Sequence, residues 1–208
     1  MIATPITYCA EDLALVSAFR AESPEAQPGS YWADPSLESL RSRVKTFYIA
    51  AQNTRCCYCN RHLGTDNHRM WDVEHIVPRS RHARFMFEPA NLAASCPDCN
   101  NEKADKDSLV NTKRKTYPRN SDAFRIVHPH FDRFEDHIHQ IRMVYLPKTE
   151  KGTNTIYVCN LLRFAQKFIA WENSAADSSF EEEVDIIFDE KATAQAAIDA
   201  ILAELPTK

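Results

Sequence analysis

The feature that most constrains this chain is a pair of Cys-x2-Cys motifs. Cys56 and Cys59 form the first motif, Cys96 and Cys99 form the second, and 36 residues separate them. Two such pairs supply the four thiolates that structural Zn²⁺ binds in a tetrahedral arrangement. Turn-forming or polar residues stand beside each pair, as a tight chelating turn requires. The sequence therefore predicts one zinc site built from these four cysteines.

The other three of the seven cysteines are predicted to be free thiols. Cys57 lies inside the first motif, but the two-residue gap selects its neighbours as ligands. Cys9 and Cys159 have no partner at a chelating spacing, and we expect both to be buried. The N-terminus lacks the basic region and apolar stretch of a secretory signal, so a reducing cytoplasmic location without disulfides is expected.

Composition argues against two other classes of protein. The three glycines, Gly29, Gly64 and Gly152, are too far apart to form the phosphate loop of a nucleotide motor or a dinucleotide dehydrogenase. The longest apolar runs are about five residues, whereas a membrane span needs roughly 20. With 208 residues, 44% of them hydrophobic and 26% charged, the chain is typical of one globular domain or two small ones.

Hydrophobic spacing predicts a mixed α+β chain. Apolar residues recur at helical spacing in four segments, and two further segments alternate as strands do. Between the two Cys-x2-Cys motifs the pattern indicates short strands and turns followed by a helix. The predicted helices cover 9–20, 36–52, 161–171 and 194–205, and the predicted β-hairpin pairs 141–145 with 155–158 around a Lys-Thr-Glu-Lys-Gly turn.

A second group of residues lies between and just after the cysteine pairs. Glu74 and His75 precede Pro78, Asn91 stands just before the second pair, and Asn100 directly follows it. In this register the segment 56–103 resembles the HNH endonucleases, whose ββα-metal motif carries a His, an Asn and a final His or Asn within zinc-binding knuckles. The resemblance covers about a quarter of the chain.

The resemblance implies a division of labour among these residues. Hydrolysis of a phosphodiester needs a nucleophilic water, a cation on the phosphoryl oxygens and stabilisation of the leaving alkoxide. His75 is expected to act as the general base, because an imidazole accepts a proton near neutral pH. Glu74 and the amide oxygen of Asn100 are expected to hold one Mg²⁺ or Mn²⁺ ion. Asn91 is expected to tie down the loop that carries the base.

Two positions depart from the usual family pattern. The residue before the base is Glu74, where Asp or His is more usual, and the last motif position is Asn100, where many members have His. Both residues offer oxygen ligands, which favours hard Mg²⁺ or Mn²⁺ over a softer transition metal. Asp72 lies on the same strand face as Glu74 and is an alternative ligand.

The implied fold is an α+β chain with a ββα-metal HNH core and a four-cysteine zinc site. Helices would flank this core, and a β-hairpin with a closing helix would follow it. We expect three segments: a helical one over 1–54, the nuclease core over 55–112, and an α+β segment over 113–208.

Charge is unevenly distributed along the chain. Residues 41–120 carry 15 Lys and Arg against 8 Asp and Glu, whereas the flanks carry 10 against 21. Such a basic island is suited to phosphate binding, although a solvated surface of uneven charge is equally compatible with it. Arg79, Arg81 and Lys103 are the candidate substrate-binding residues, and for each of them an ordinary surface role remains open.

Other side chains around the motif suggest weaker roles. Tyr58, Trp71 and Phe85 are candidate aromatics for base stacking. His62, His68 and His82 are expected to be surface or loop residues. The histidines at 128, 130, 137 and 139 have spacings that invite a second metal, but a packed turn is the preferred interpretation.

A looser resemblance extends over the whole chain. The order of motifs is similar to that of the small HNH effector subunits of Septu-type and retron-linked anti-phage systems, which act with a separate ATPase. The leading hypothesis is a DNA-cleaving nuclease that leaves 5′-phosphate and 3′-hydroxyl ends. The alternatives are the same site acting on RNA, or a noncatalytic zinc module that binds nucleic acid or a protein through the basic island.

Overall fold

The computed structural model describes residues 1–22 and 28–166, and its helices and strands are short. Helices and antiparallel strands are mixed along the chain, so the fold is α+β as predicted. No helix within the described ranges is long and apolar enough to cross a membrane. The elements are α1 (Ala10–Ala21), α2 (Glu38–Ala51), β1 (Asp72–His75), β2 (Leu92–Ser95), α3 (Pro97–Lys103), α4 (Phe134–His137), β3 (Ile138–Ile141), β4 (Val144–Pro147) and α5 (Glu150–Val158).

The two N-terminal helices confirm the predictions made from helical spacing. Asp34 caps the turn that leads into α2, because its side chain accepts a hydrogen bond from the Ser36 backbone N–H at 2.9 Å. An ion pair between Arg43 of α2 and the buried Asp12 of α1 joins the helices. The inner face of α2 is formed by Leu40, Val44, Tyr48 and Ile49.

The predicted ββα unit is present at the centre of the fold. Strands β1 and β2 pair antiparallel, with Asp72 opposite Ser95 and His75 opposite Leu92. Helix α3 begins two residues after β2, with Cys96 as its N-cap. Because β1 ends at His75 and α3 carries Asn100, the unit brings together two residues that are 25 positions apart in the sequence.

The predicted hairpin exists, but its position was wrong. Its strands are β3 and β4, joined at Arg142, whose φ of 50° gives the tight left-handed turn. The segment 155–158 belongs to α5 instead, because the Thr149 side chain caps that helix by accepting from the Gly152 N–H at 3.2 Å. A Cβ on Gly152 would lie 2.0 Å from the His137 carbonyl oxygen, so this glycine allows α5 to pack closely.

One main hydrophobic cluster runs through the described residues. It includes Val16 of α1, Leu40 of α2, Leu92 of β2 and Phe164 near the end of the described chain. Residues on both sides of positions 54 and 112 contribute to it, and the three-segment division stays a prediction. A smaller cluster packs beneath the segment that follows β1, with Val77, Phe85, Ala90, Leu109, Tyr117, Ala123 and Phe124.

The predicted C-terminal helices fall mainly beyond this part of the chain. Residues 163–166 are helical, but the rest of the predicted 161–171 helix lies outside the described residues. The predicted helix over 194–205, with its apolar face, lies entirely outside them.

Candidate active site and zinc centre

The four predicted zinc ligands converge in one buried cluster. The sulfur atoms of Cys56, Cys59, Cys96 and Cys99 all lie within 4.8 Å of one another. Four thiolates at about 2.3 Å from a tetrahedral Zn²⁺ are about 3.8 Å apart, so the cluster fits this ion with little adjustment. Asn60 follows the first motif with a φ of 54°, which turns the chain sharply after the second ligand.

Backbone and side-chain donors point at the cysteine sulfurs. The Cys96 N–H lies 3.3 Å from the Cys56 sulfur, and the Cys99 N–H lies 3.5 Å from the Cys96 sulfur. The Arg163 guanidinium donates to the Cys99 sulfur at 3.2 Å. Burial raises the pKa of Cys56, but hydrogen bonds from neighbouring cysteines outweigh it and hold that pKa well below its usual value. The backbone N–H groups and the Arg163 cation favour the thiolate form of the sulfurs that they reach, which is the form that binds zinc.

The expectation for the unpaired cysteines was half right. Cys159 is fully buried, as predicted, and Cys57 is half-buried beside the zinc cluster. Cys9 is exposed, contrary to the prediction. It immediately precedes α1, where its thiol points to the Asp12 carboxylate at 3.2 Å instead of entering the core.

His75 is placed at the end of β1 and lines a cleft of about 710 Å³. Its Nε2 lies 3.1 Å from the Met86 carbonyl oxygen. Because a carbonyl only accepts, Nε2 carries the proton and Nδ1 holds the free lone pair. Burial, assisted by Arg79 and Lys103, lowers the pKa of His75 to about 3. The imidazole is therefore neutral at physiological pH.

Asn91 ties together the segment that follows His75. The residue is fully buried and directly precedes β2. Its Oδ1 accepts from the Val77 N–H at 2.7 Å, and its Nδ2 donates to the Val77 and Phe85 carbonyls at 3.1 and 2.9 Å. These three bonds close the loop between His75 and Asn91, which also contains the Met86 carbonyl that contacts the His75 ring.

Glu74 points toward the cleft with one oxygen engaged by the protein. Its Oε1 lies 2.7 Å from the Lys103 ammonium and accepts from the Tyr58 hydroxyl at 2.9 Å. The residue is 3% exposed and lines the cleft. Burial raises the pKa of Glu74, while Lys103 and Tyr58 oppose that rise.

Asn100 contacts the alternative carboxylate instead of Glu74. Its Nδ2 donates to Asp72 Oδ2 at 3.0 Å, and both residues line the cleft. Since a carboxylate can accept only from the amide nitrogen, the amide oxygen of Asn100 is left for another donor or a cation. Asp72, Glu74, Asn100 and His75 thus all line the same cleft.

The three candidate substrate cations occupy different environments. Arg79 lines the cleft and donates to the Gly29 carbonyl oxygen. Arg81 is exposed and forms a 3.2 Å ion pair with Asp105. Lys103 is fully buried, so the structure places it in the interior rather than on a surface that meets substrate.

Sequence reasoning did not single out the basic residues of α2. Arg41 and Lys45 line the cleft, together with His68. Their four-residue spacing, beside the buried Leu40 and Val44, is the signal that would have placed them on one face of the helix.

Several neighbouring side chains differ from their predicted placement. Tyr58, Trp71 and Phe85 are buried by at least 97% of their surface, so they form core contacts and are not available for base stacking. His82 lies in a loop, as expected, but it is buried, and it pairs with Asp107 at 2.7 Å. The aromatic rings pack into the hydrophobic clusters formed by the apolar residues around them.

His128 and His130 lie in the packed turn that was preferred, whereas His137 ends α4 and His139 lies in β3. The His128 ring stacks on Phe131 at 4.3 Å, and its Nε2 meets the Tyr117 hydroxyl at 2.9 Å. His130 Nε2 lies 2.8 Å from the Leu92 carbonyl oxygen. Across the described ranges, three or more metal-ligating side chains of the His, Cys, Asp or Glu type converge only at the four cysteines.

Comparison with known proteins agrees with this geometry. Residues 56–106 match the family model described as HNH endonuclease. The chain is also 28% identical over 118 residues to the Septu protein PtuB of Bacillus thuringiensis. That match covers 57% of this chain and 40% of the relative, so less than half of the relative's length is represented. The segment matched by the family model contains the four-cysteine cluster, the ββα unit and His75, so residues 56–106 are similar to the HNH endonucleases both in sequence and in the placement of these groups.

Proposed function

We propose that this protein is a metal-dependent endonuclease that hydrolyses DNA phosphodiester bonds. The observation that carries the proposal is the placement of His75: an imidazole, oriented through Nε2 by a backbone carbonyl, in a cleft that three oxygen-bearing side chains also line. A noncatalytic zinc module would not require such an arrangement.

In this mechanism His75 acts as the general base. Its Nδ1 accepts the proton of a water molecule that attacks the scissile phosphorus, and the 3′-oxygen leaves. The products carry 5′-phosphate and 3′-hydroxyl ends. Asn91 supports this role by holding the loop that carries the Met86 carbonyl, so that the ring keeps its orientation.

The donor set suits a hard divalent cation. Glu74 and Asn100 would hold Mg²⁺ or Mn²⁺ through a carboxylate oxygen and the amide oxygen, and Asp72 orients Asn100 through its hydrogen bond. When bound, the cation would neutralise charge on the phosphoryl oxygens. Three nearby oxygen donors and no thiolate in the cleft favour these ions over zinc at this position.

Cations around the cleft are proposed to hold the DNA backbone. Arg79 on one side and Arg41 with Lys45 on α2 line the cleft, and Arg81 lies on the surface beyond it. Neutralising phosphates releases counterions, so these contacts would make binding dependent on salt.

The relative's name supports a cellular role as an effector of anti-phage defence. On this proposal the protein acts in the cytoplasm with a separate ATPase subunit. The predicted acidic flanks of the basic island are the proposed docking surface.

Incubation of the purified protein with plasmid DNA and Mg²⁺ or Mn²⁺ tests the proposal. The wild type should nick or linearise the plasmid, and a chelator that removes the divalent ion should stop it. His75→Ala should abolish cleavage while zinc content and DNA affinity persist, since the ring acts on water and not on the architecture. His62→Ala is the matched control, because His62 is exposed and does not line the cleft. Cleavage by His75→Ala at the wild-type rate would remove the mechanism, and DNA binding without cleavage by the wild type would favour the noncatalytic module.

A further inference from the structure

A fully buried lysine lies between the two residues assigned to catalysis. Lys103 is 0% exposed. Its ammonium is 2.7 Å from Glu74 Oε1 and donates to the His75 carbonyl oxygen at 2.9 Å. Lysine is almost never fully buried unless it is paired. Here the ammonium contacts the end of β1, where Glu74, the proposed metal ligand, and His75, the proposed base, are consecutive residues.

Tyr58 approaches the same carboxylate oxygen from another part of the chain. Its hydroxyl donates to Glu74 Oε1 at 2.9 Å, and its side chain is fully buried. Tyr58 lies within the first cysteine motif, directly before Cys59. Lys103 is the last residue of α3, the helix that carries Cys99. Each half of the zinc cluster thus contributes one donor to a single oxygen of Glu74.

We propose that Lys103 and Tyr58 are positioning residues that fix the Glu74 carboxylate for a divalent cation and link its geometry to the zinc centre. The inference rests on the proposed function. Both donors meet Oε1, which leaves Oε2 as the oxygen that can face a cation in the cleft. The bond from Lys103 to the His75 carbonyl fixes the backbone at the base at the same time.

Energetics favour a positioning role over a purely stabilising one. Burying a carboxylate and an ammonium removes hydration that their attraction hardly replaces, and apolar side chains of similar volume often stabilise a fold as well or better. Lys103 contacts both Glu74 and the His75 backbone. The buried Lys103–Glu74 pair is therefore better explained by the geometry that it imposes on these residues than by a contribution to stability. Because Lys103 is inaccessible, contact with substrate does not explain it either.

Binding of Mn²⁺ to zinc-loaded protein, followed by calorimetry or by electron paramagnetic resonance, tests this inference without relying on cleavage. Lys103→Met should weaken Mn²⁺ binding by about 10–100-fold, the usual effect of losing a partner that orients a metal ligand. Tyr58→Phe should weaken it less, because the charged partner remains. The metal concentration for half-maximal cleavage should shift in the same order.

Lys106→Met is the matched control. This lysine lies three residues further along, is exposed, and bonds the Glu102 and Val158 backbone carbonyls at 2.7 and 2.9 Å. Its substitution should leave Mn²⁺ affinity unchanged. Glu74→Gln combined with Lys103→Met should bind Mn²⁺ no more weakly than Glu74→Gln alone, since the lysine acts through the carboxylate.

Wild-type Mn²⁺ affinity in a zinc-loaded Lys103→Met protein would overturn the inference and leave Lys103 as a structural residue. If Lys103→Met does not fold, Tyr58→Phe provides the test, because it removes only a hydroxyl group. An unchanged Mn²⁺ affinity in Tyr58→Phe would also overturn the inference. Absence of both Mn²⁺ binding and cleavage in the wild type would instead reject the proposed function.

Discussion

Replacing Asn91 with alanine should destabilise the loop that follows His75. The side chain is fully buried and makes three hydrogen bonds, two to Val77 and one to the Phe85 carbonyl. Alanine makes none of them. The Phe85 carbonyl keeps a second partner, the Glu88 N–H at 3.1 Å. The Val77 N–H and carbonyl are thus the two backbone groups that lose the partner described here.

The magnitude follows from these bonds. A typical intramolecular hydrogen bond contributes about 1 kcal/mol net, and a buried group left unsatisfied costs about 1–3 kcal/mol. Together these values place the loss for Asn91→Ala at about 3 kcal/mol, a large share of the roughly 5–15 kcal/mol of a typical domain. For a chain of this size, that corresponds to a fall in Tm of about 6–12 °C.

Thermal unfolding and plasmid cleavage together provide the assay. Below its Tm, Asn91→Ala should cleave more slowly than its folded fraction accounts for, because the loop also positions the Met86 carbonyl against His75. Asn111→Ala is the control, since Asn111 is exposed and makes one local bond, to the Lys113 N–H. A Tm for Asn91→Ala within about 2 °C of wild type would refute the reasoning, because it would mean that the three bonds contribute almost nothing.

Four further predictions concern metal, pH and salt. Elemental analysis should find one zinc per chain. Removing the zinc with a chelator should lower the Tm, because metal binding and folding are coupled. A zinc-free protein with the stability of the wild type would contradict this prediction. Arg163→Leu should speed zinc release to a chelator, because the Arg163 guanidinium donates to the Cys99 sulfur. An unchanged release rate would show that Arg163 does not help to hold the zinc. Burial tends to raise the pKa of Asp132, but hydrogen bonds from Lys151, Ser121 and the His128 backbone together outweigh it and lower that pKa below its usual value. The stability lost in Asp132→Asn should therefore be full at neutral pH and vanish as the pH falls through the folded-state pKa, as denaturant titration across pH would show. DNA affinity measured across salt should fall with a log–log slope of about −0.9 per phosphate contact, and a flat profile would point to a protein ligand.

Local patterns were enough to predict the four-cysteine cluster and the N-terminal helices. The spacing of Cys56, Cys59, Cys96 and Cys99 indicated the zinc cluster, because a tight chelating turn is a property of a few consecutive residues. Helical periodicity likewise placed α1 and α2 correctly. It did not resolve the segment 155–158, because four residues with alternating apolar character fit a strand and a helix equally well. This segment is helical because Thr149 caps the N-terminus of α5, the helix that contains it.

Only the tertiary structure determined how the side chains around the motif are used. Asp72 and Asn100, and likewise Tyr58, Glu74 and Lys103, meet because β1, α3 and the cysteine motifs pack together, and those contacts span 16 to 29 residues of sequence. The sequence alone treated Lys103 as a surface cation and Tyr58 as a stacking aromatic, since residue type does not reveal burial. Burial depends on the whole packed core, and in this protein the packing places both buried side chains against the Glu74 carboxylate.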